Sequence, residues 1–256
     1  INITFIISIN TLILLFLGDL TSSYFFPLEN LKKVSSLNWI DSYSTTDSYP
    51  KFEYDSDIGY SPKFKTERTN EYGTLHNSYH IDKSVSKSRI LFIGDSVTEE
   101  GFIVKGLKKS YGENFEYWNA GVGGYNLEQT YKYFTRIKDK IKPDIVVLTL
   151  HLNDFEYTPL VFKNDDGSLS SFSNRFGNLK LNKFLYLNSN LYHIFLSYFY
   201  KETEQFSFKE DKIRKYIKLF IESNKSIKLK IIISPITLPL NKWTSYNKSC
   251  LASFKK

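Results

Sequence analysis

The chain has no methionine, a single cysteine (Cys250) and only four histidines among its 256 residues. One cysteine excludes an internal disulfide framework and any multi-cysteine zinc site. A translated chain begins with Met, so its absence at position 1 predicts a natural start upstream of Ile1. Charge of one sign is not concentrated anywhere. Thirty-four Lys and Arg against 27 Asp and Glu leave a net +7, but the lysines stand singly or in pairs among Tyr, Asn and Ser. That is a solvated surface, and nucleic acid is not expected as a partner. With 41% hydrophobic and 24% charged residues, wholesale disorder, collagen and coiled coil are excluded. The length suits one α/β domain plus an appendage.

The most local absence is at the amino end. Ile1 to Leu17 carries no ionisable side chain, the first being Asp19, and a mostly apolar stretch continues to Phe26. The uncharged run is a little shorter than the roughly 20 residues that span a bilayer, and no small-x-small cleavage site follows it. We read residues 1–26 as an uncleaved membrane anchor. Residues 27–88 read as a juxtamembrane connector and lead-in loops, punctuated by Pro50, Gly59, Pro62 and Gly73 with no helical period. His76 and His80 would share a helix face suited to a metal, but no helix is indicated there and they read as loop histidines. No metal or organic cofactor is implied.

From residue 89 to residue 256 the pattern is that of an α/β domain. Continuous apolar runs at Arg89–Gly94, Phe115–Asn119, Asp144–Leu150 and Leu229–Ser234 suit strands buried on both faces. Between them, Asn126 to Ile141 has near-helical apolar spacing with Asn126 as N-cap and Pro143 beyond its end, and Phe208 to Ile221 repeats the pattern. The expected fold is a three-layer α/β/α sandwich with a mostly parallel, flavodoxin-like sheet. Ligand chemistry then falls at the carboxyl ends of the strands.

Three strand ends carry polar motifs. The first run leads into Gly94-Asp95-Ser96-Val97-Thr98, which places a serine hydroxyl where substrates bind. The same residues suit a helix N-cap by Asp95 or Ser96 equally well. The second ends in Asn119-Ala-Gly-Val-Gly-Gly124, whose glycines let backbone N–H groups approach an oxyanion. Its spacing does not fit the dinucleotide G-x-G-x-x-G. The third ends in His151-Leu-Asn153-Asp154, with an amide able to donate to the same oxyanion.

Taken jointly, G-D-S-x-T, N-A-G-x-x-G and x-x-N-D resemble the SGNH, or GDSL-type, hydrolase family. Asp55-Ser-Asp-Ile-Gly-Tyr60-Ser-Pro62 resembles the lead-in of its membrane-anchored members. The resemblance implies acyl transfer through Ser96 as nucleophile, with the Gly124 N–H and the Asn153 side chain in the oxyanion hole. Asp95, Gly123 and His151 are expected on the substrate side of the same cleft. The substrate class implied is an O-acyl or O-acetyl ester, on a small molecule or a glycan, met outside the cytoplasm. The family's late D-x-x-H block, which supplies the general base, has no match here, and it is expected downstream of Lys256. A non-catalytic binding or assembly module of the same fold, and an O-acyltransferase using the same serine, are the alternatives left open by the sequence.

Overall fold

The runs Ser88–Gly94, Phe115–Gly121 and Ile145–Leu150 assemble because their side chains are covered on both faces, whereas Lys228–Ile233, expected from its apolar run to be buried as well, stands at the sheet edge with Ile231, Ile232 and Ile233 exposed among the described residues. The computed structural model describes residues 3–26, 52–151, 154, 158–163, 169–172, 181, 184–185, 188–199, 210–223 and 226–233. Two compact units divide the chain, one of residues 44–158 with 206–256 and one of residues 1–43 with 159–205.

In the larger unit a hairpin of β1 (Phe52–Asp55) and β2 (Gly59–Pro62) comes first. Next come β3 (Ser88–Gly94), a one-turn helix α2 (Ser96–Glu99; α1 is the amino-terminal helix below) and α3 (Phe102–Tyr111). They are followed by β4 (Phe115–Gly121), α4 (Leu127–Ile141) and β5 (Ile145–Leu150). The sheet order is β4-β3-β5-β8, all parallel, where β8 is Lys228–Ile233. The chain moves outward from β3 to β4 and then returns across β3 to β5. This reversal puts a switch point between β3 and β5, where open α/β sheets bind ligands.

Ile103, Val104 and Leu107 of α3 pack against the face of the sheet formed by Ile90, Phe92, Tyr117 and Val147. Right-handed crossovers place α4 on the opposite face, which makes the three layers. There α4 packs on α6 (Glu210–Ser223) through Phe134 and Phe220, whose rings lie 5.5 Å apart. Lys212 of α6 also pairs with Glu128 of α4 at 2.6 Å. Burial would raise the Glu128 carboxyl, but the hydrogen bond and charge of Lys212, with the Thr158 hydroxyl and Lys132, hold it down to about 2. Asn126 caps α4 through a full capping box with Gln129.

Sequence reading left residues 52–62 as loop, whereas they form the hairpin. Each strand has four residues, too few to show a period, and the turn rests on Asp55. Its Oδ1 accepts the Asp57 and Ile58 N–H groups at 2.9 and 3.1 Å. Arg136 of α4 then holds both Asp55 and Asp57, and Gln129 Nε2 donates to the Ile58 carbonyl at 2.8 Å.

Arg89 has 0% of its surface exposed. Its Nε donates to Glu116 Oε2 at 2.6 Å, and its other nitrogens to the carbonyls of His80, Ile81 and Ile141. The guanidinium lies 4.9 Å from the centre of the Trp118 ring.

In the smaller unit the only strands among the described residues are β6 (Leu160–Lys163) and β7 (Leu169–Phe172), an antiparallel pair. Its helices are α1 (Ile3–Phe25) and α5 (Asn190–Phe199). None of the α1 residues is buried. Ser8, Thr11, Thr21, Ser22 and Ser23 each turn the hydroxyl back to a carbonyl three or four residues earlier. Asp19 accepts from Ser189 Oγ and from the Leu191 N–H, both at 2.8 Å.

Removing one partner of a buried, multiply bonded ion pair strands the other charge, so Arg89→Ala is expected to destabilise the larger unit by about 3–5 kcal/mol. Arg89→Lys should recover less than half of that, because one ammonium cannot reach acceptors in four directions. Urea unfolding in detergent micelles measures both, and a loss under about 1 kcal/mol for Arg89→Ala contradicts the role given to this residue.

Candidate active site

Asp95 decides how β3 ends. It is fully buried, its Oδ1 accepts the Val97 N–H at 3.0 Å, and its carbonyl accepts the N–H groups of Thr98 and Glu99. Asp95 is therefore the cap and Ser96 the first helical residue, so the cap and nucleophile readings of this motif coexist. Capping uses the amides of residues 97, 98 and 99. Among the described residues the Ser96 N–H has no acceptor.

The second motif clamps α2. Asn119 Nδ2 donates to the Thr98 carbonyl at 2.8 Å, and its Oδ1 accepts the Gly121 N–H at 2.9 Å. A methyl group at Gly121 would lie 2.3 Å from the Glu99 backbone nitrogen, so only glycine lets the helix sit this close. Val122 to Tyr125 then form a tight turn. The Val122 N–H donates to the Gly94 carbonyl at 3.0 Å and the Tyr125 N–H to the Val122 carbonyl at 3.2 Å. Gly124, third in the turn, has φ +76°, the conformation that a type II turn requires there. Among the described residues its N–H also has no acceptor.

Gly123 abuts the serine, since a methyl group there would lie 4.0 Å from Ser96 Cβ and 2.6 Å from Glu99 Oε2. Glu99 pairs with Arg68 at 3.3 Å, placing an ion pair on the same helical turn as Ser96. The Tyr60 hydroxyl donates to the Gly123 carbonyl at 2.8 Å. Its titration is pushed far up by burial, and then by the charges of Glu99 and Asp95, so it stays protonated.

At the end of β5 the His151 N–H donates to Asp154 Oδ2 at 2.6 Å, and the Asp154 N–H returns to the His151 carbonyl at 3.1 Å. Among the described residues the buried His151 Nδ1 has no hydrogen-bond partner. Asn153 lies outside the described residues. Of the residues singled out by sequence, Asp95, Ser96, Gly123 and Gly124 thus stand together, with His151 at the end of the neighbouring strand. His76 and His80 are exposed in loops, and His76 Nε2 lies 2.6 Å from the Thr66 carbonyl. In the sequence Tyr60 is marked only as part of the Asp55–Pro62 lead-in, and nothing local marks Arg68 or Glu99. Among the described residues no three His, Cys, Asp or Glu side chains gather as metal ligands would.

No family model matches the chain, and no curated protein does. Among solved structures it is similar to a G-D-S-L family protein from Desulfitobacterium hafniense, with 13% identity over 66% of this chain and 73% of that one, at a TM-score of 0.37. It is also similar to the acetylxylan esterase Axe2 from Geobacillus stearothermophilus, with 16% identity over 67% and 71% and a TM-score of 0.40. A third is the acetyl xylan esterase AlAXEase, with 19% identity over 56% of each chain and a TM-score of 0.32.

Gly121→Ala must push α2 away from β4, because the obstructing atom is backbone. The substitution is expected to destabilise the protein by about 2–4 kcal/mol, within the range for overpacked and strained sites. Urea unfolding measures it, and a loss under about 1 kcal/mol contradicts the clamp.

Proposed function

We propose that this chain is a membrane-anchored serine ester hydrolase of the SGNH type, acting on an O-acyl ester. The observation that carries the reading is the pair of backbone donors, the N–H groups of Ser96 and Gly124, which have no acceptor among the described residues and stand at the start of α2 and in the adjoining Val122–Tyr125 turn. Such donors hold the negative charge that develops on a carbonyl oxygen under attack.

In this reading Ser96 Oγ attacks the ester carbonyl while a histidine base takes its proton. The oxyanion sits against the Ser96 and Gly124 amides, and Asn153 supplies a third donor. Collapse expels the alcohol with that proton and leaves an acyl-enzyme. Water then attacks, releasing the carboxylic acid and restoring the serine. Asp95 takes no part in proton transfer, since its Oδ1 and carbonyl are engaged as the cap. In this reading His151 and the Arg68–Glu99 pair contribute to selecting the substrate, an ester on a small molecule or a glycan.

With p-nitrophenyl acetate, the full-length natural protein should show hydrolysis that Ser96→Ala lowers at least about a thousandfold. Equal rates in the two proteins, or no turnover in either, would favour a binding module. Acyl transfer to an added alcohol in preference to water would identify a transferase.

Anchoring is supported by α1, which is long and apolar enough to cross a membrane. Its five serine and threonine hydroxyls named above are satisfied within the helix, as a lipid environment demands. The catalytic unit is placed outside the cytoplasm in this reading. The full-length protein should remain in the membrane pellet after alkaline carbonate extraction. Quantitative release into the supernatant would contradict the anchor.

A further inference from the structure

We infer that Tyr60, from the lead-in hairpin, is a positioning residue that sets the direction of the Gly124 N–H and thereby forms the oxyanion hole. The inference rests on the proposed role of Ser96 and Gly124 and adds the group that makes Gly124 competent.

The peptide joining Gly123 to Gly124 is the central peptide of the Val122–Tyr125 turn. A peptide unit is planar, and in the trans form its C=O and N–H point in opposite directions; among the described residues none is cis. Whatever fixes the Gly123 carbonyl therefore fixes the Gly124 N–H. Type I and type II turns differ by a flip of this central unit. With glycine at both central positions, neither form meets a steric penalty from a side chain. The turn's own hydrogen bond, Tyr125 N–H to the Val122 carbonyl, is compatible with both. Local structure thus leaves the choice open, and in the flipped form a carbonyl oxygen would replace the N–H where an anion must be bound.

The hydroxyl of Tyr60 makes the choice. It donates to the Gly123 carbonyl at 2.8 Å, which turns the Gly124 N–H to the opposite side. Tyr60 is itself rigidly held. It is fully buried, with its ring 5.1 Å from that of Tyr125 and 5.0 Å from that of Phe52. Its own carbonyl accepts the Tyr125 hydroxyl at 2.6 Å. Turn and hairpin therefore clasp each other: a hydroxyl from the hairpin holds the turn, and a hydroxyl from the residue closing the turn holds the hairpin. The phenol remains a donor at any working pH, because burial and the neighbouring carboxylates oppose its ionisation.

The test compares Tyr60→Phe with Tyr133→Phe in the full-length natural protein. Tyr133 is an apt control, a buried tyrosine whose hydroxyl donates at 2.6 Å to the carbonyl of another glycine, Gly73. With p-nitrophenyl acetate, Tyr60→Phe should lower kcat at least about tenfold, a fraction of what loss of an oxyanion donor costs, with KM within about threefold. The rate at which a phosphonate modifies Ser96 should fall in parallel, since that reaction also builds negative charge on oxygen. Tyr133→Phe should leave kcat within about twofold of the parent. If kcat of Tyr60→Phe matches the parent, or both variants fall equally, the inference is overturned. Should Tyr60→Phe fail to fold, site-specific 3-fluorotyrosine at position 60 keeps the shape and alters the donor strength, and an unchanged kcat there also overturns it. If instead Ser96→Ala retains full activity, it is the proposed function that fails.

Discussion

One desolvated guanidinium fixes the frame on which the site stands. Arg89 is the second residue of β3, and its donors reach Glu116 on β4, the last turn of α4 at Ile141, and the lead-in at His80 and Ile81. Its own N–H donates to Asp144, which Lys83 pairs in turn. A buried ion pair is weak evidence for stability, because the desolvation of both charges offsets much of their attraction. What it does here is gather four segments at one point, since β3, β4, the end of α4 and the lead-in all meet at the same cation. Five residues further along the same strand, Gly94 opens the Gly-Asp-Ser motif. One end of β3 is therefore locked by charge and the other presents Ser96.

Around that second end the ordinary rules of burial are relaxed. Among the described residues Asp95 Oδ2 and the hydroxyls of Thr98 and Thr149 are buried with no hydrogen-bond partner. An unsatisfied buried group of this kind costs about 1–3 kcal/mol. Native structures keep few of them, and those that persist gather where function competes with stability. The cost is tolerated because the neighbourhood is over-determined. Asn119 grips the end of α2, Asp95 caps its start, and Gly121 leaves no room for the helix to drift.

How much of this was legible in the sequence follows from how local each signal is. The positions of the four sheet strands were evident as apolar runs, and the start of α4 from Asn126, because both signals are written in consecutive residues; the burial expected of the last run fails, since β8 is an exposed edge strand among the described residues. The motifs at the ends of β3 and β4 were legible for the same reason, and the structure joins them through Ser96 and Gly123. Arg89 read only as the polar first residue of a strand, since its acceptors at 80, 81 and 141 are backbone carbonyls that any residue type supplies. The β1–β2 hairpin reads as loop because its strands are too short to show a period. Tyr60 is legible there only as part of the lead-in tract, because the carbonyl its hydroxyl meets, that of Gly123, is 63 residues away in the chain.

The amino-terminal helix poses a separate physical problem, an ionisable residue within an apolar segment. At 1.5 Å per residue, the 23 residues of α1 span about 34 Å, enough for the roughly 30 Å of a bilayer interior. A carboxylate facing hydrocarbon would be costly, and such groups occur where a partner meets them. Asp19 has that partner. It accepts the Leu191 N–H and the Ser189 hydroxyl, so an anion stands at the amino terminus of α5, where the helix dipole favours negative charge. Gly18 beside it lets the Leu191 side chain come within 3.8 Å of where a methyl group would be, the close approach that small residues permit between apolar helices. The one charge of α1 is thus the point at which the helix is fastened to the rest of its unit.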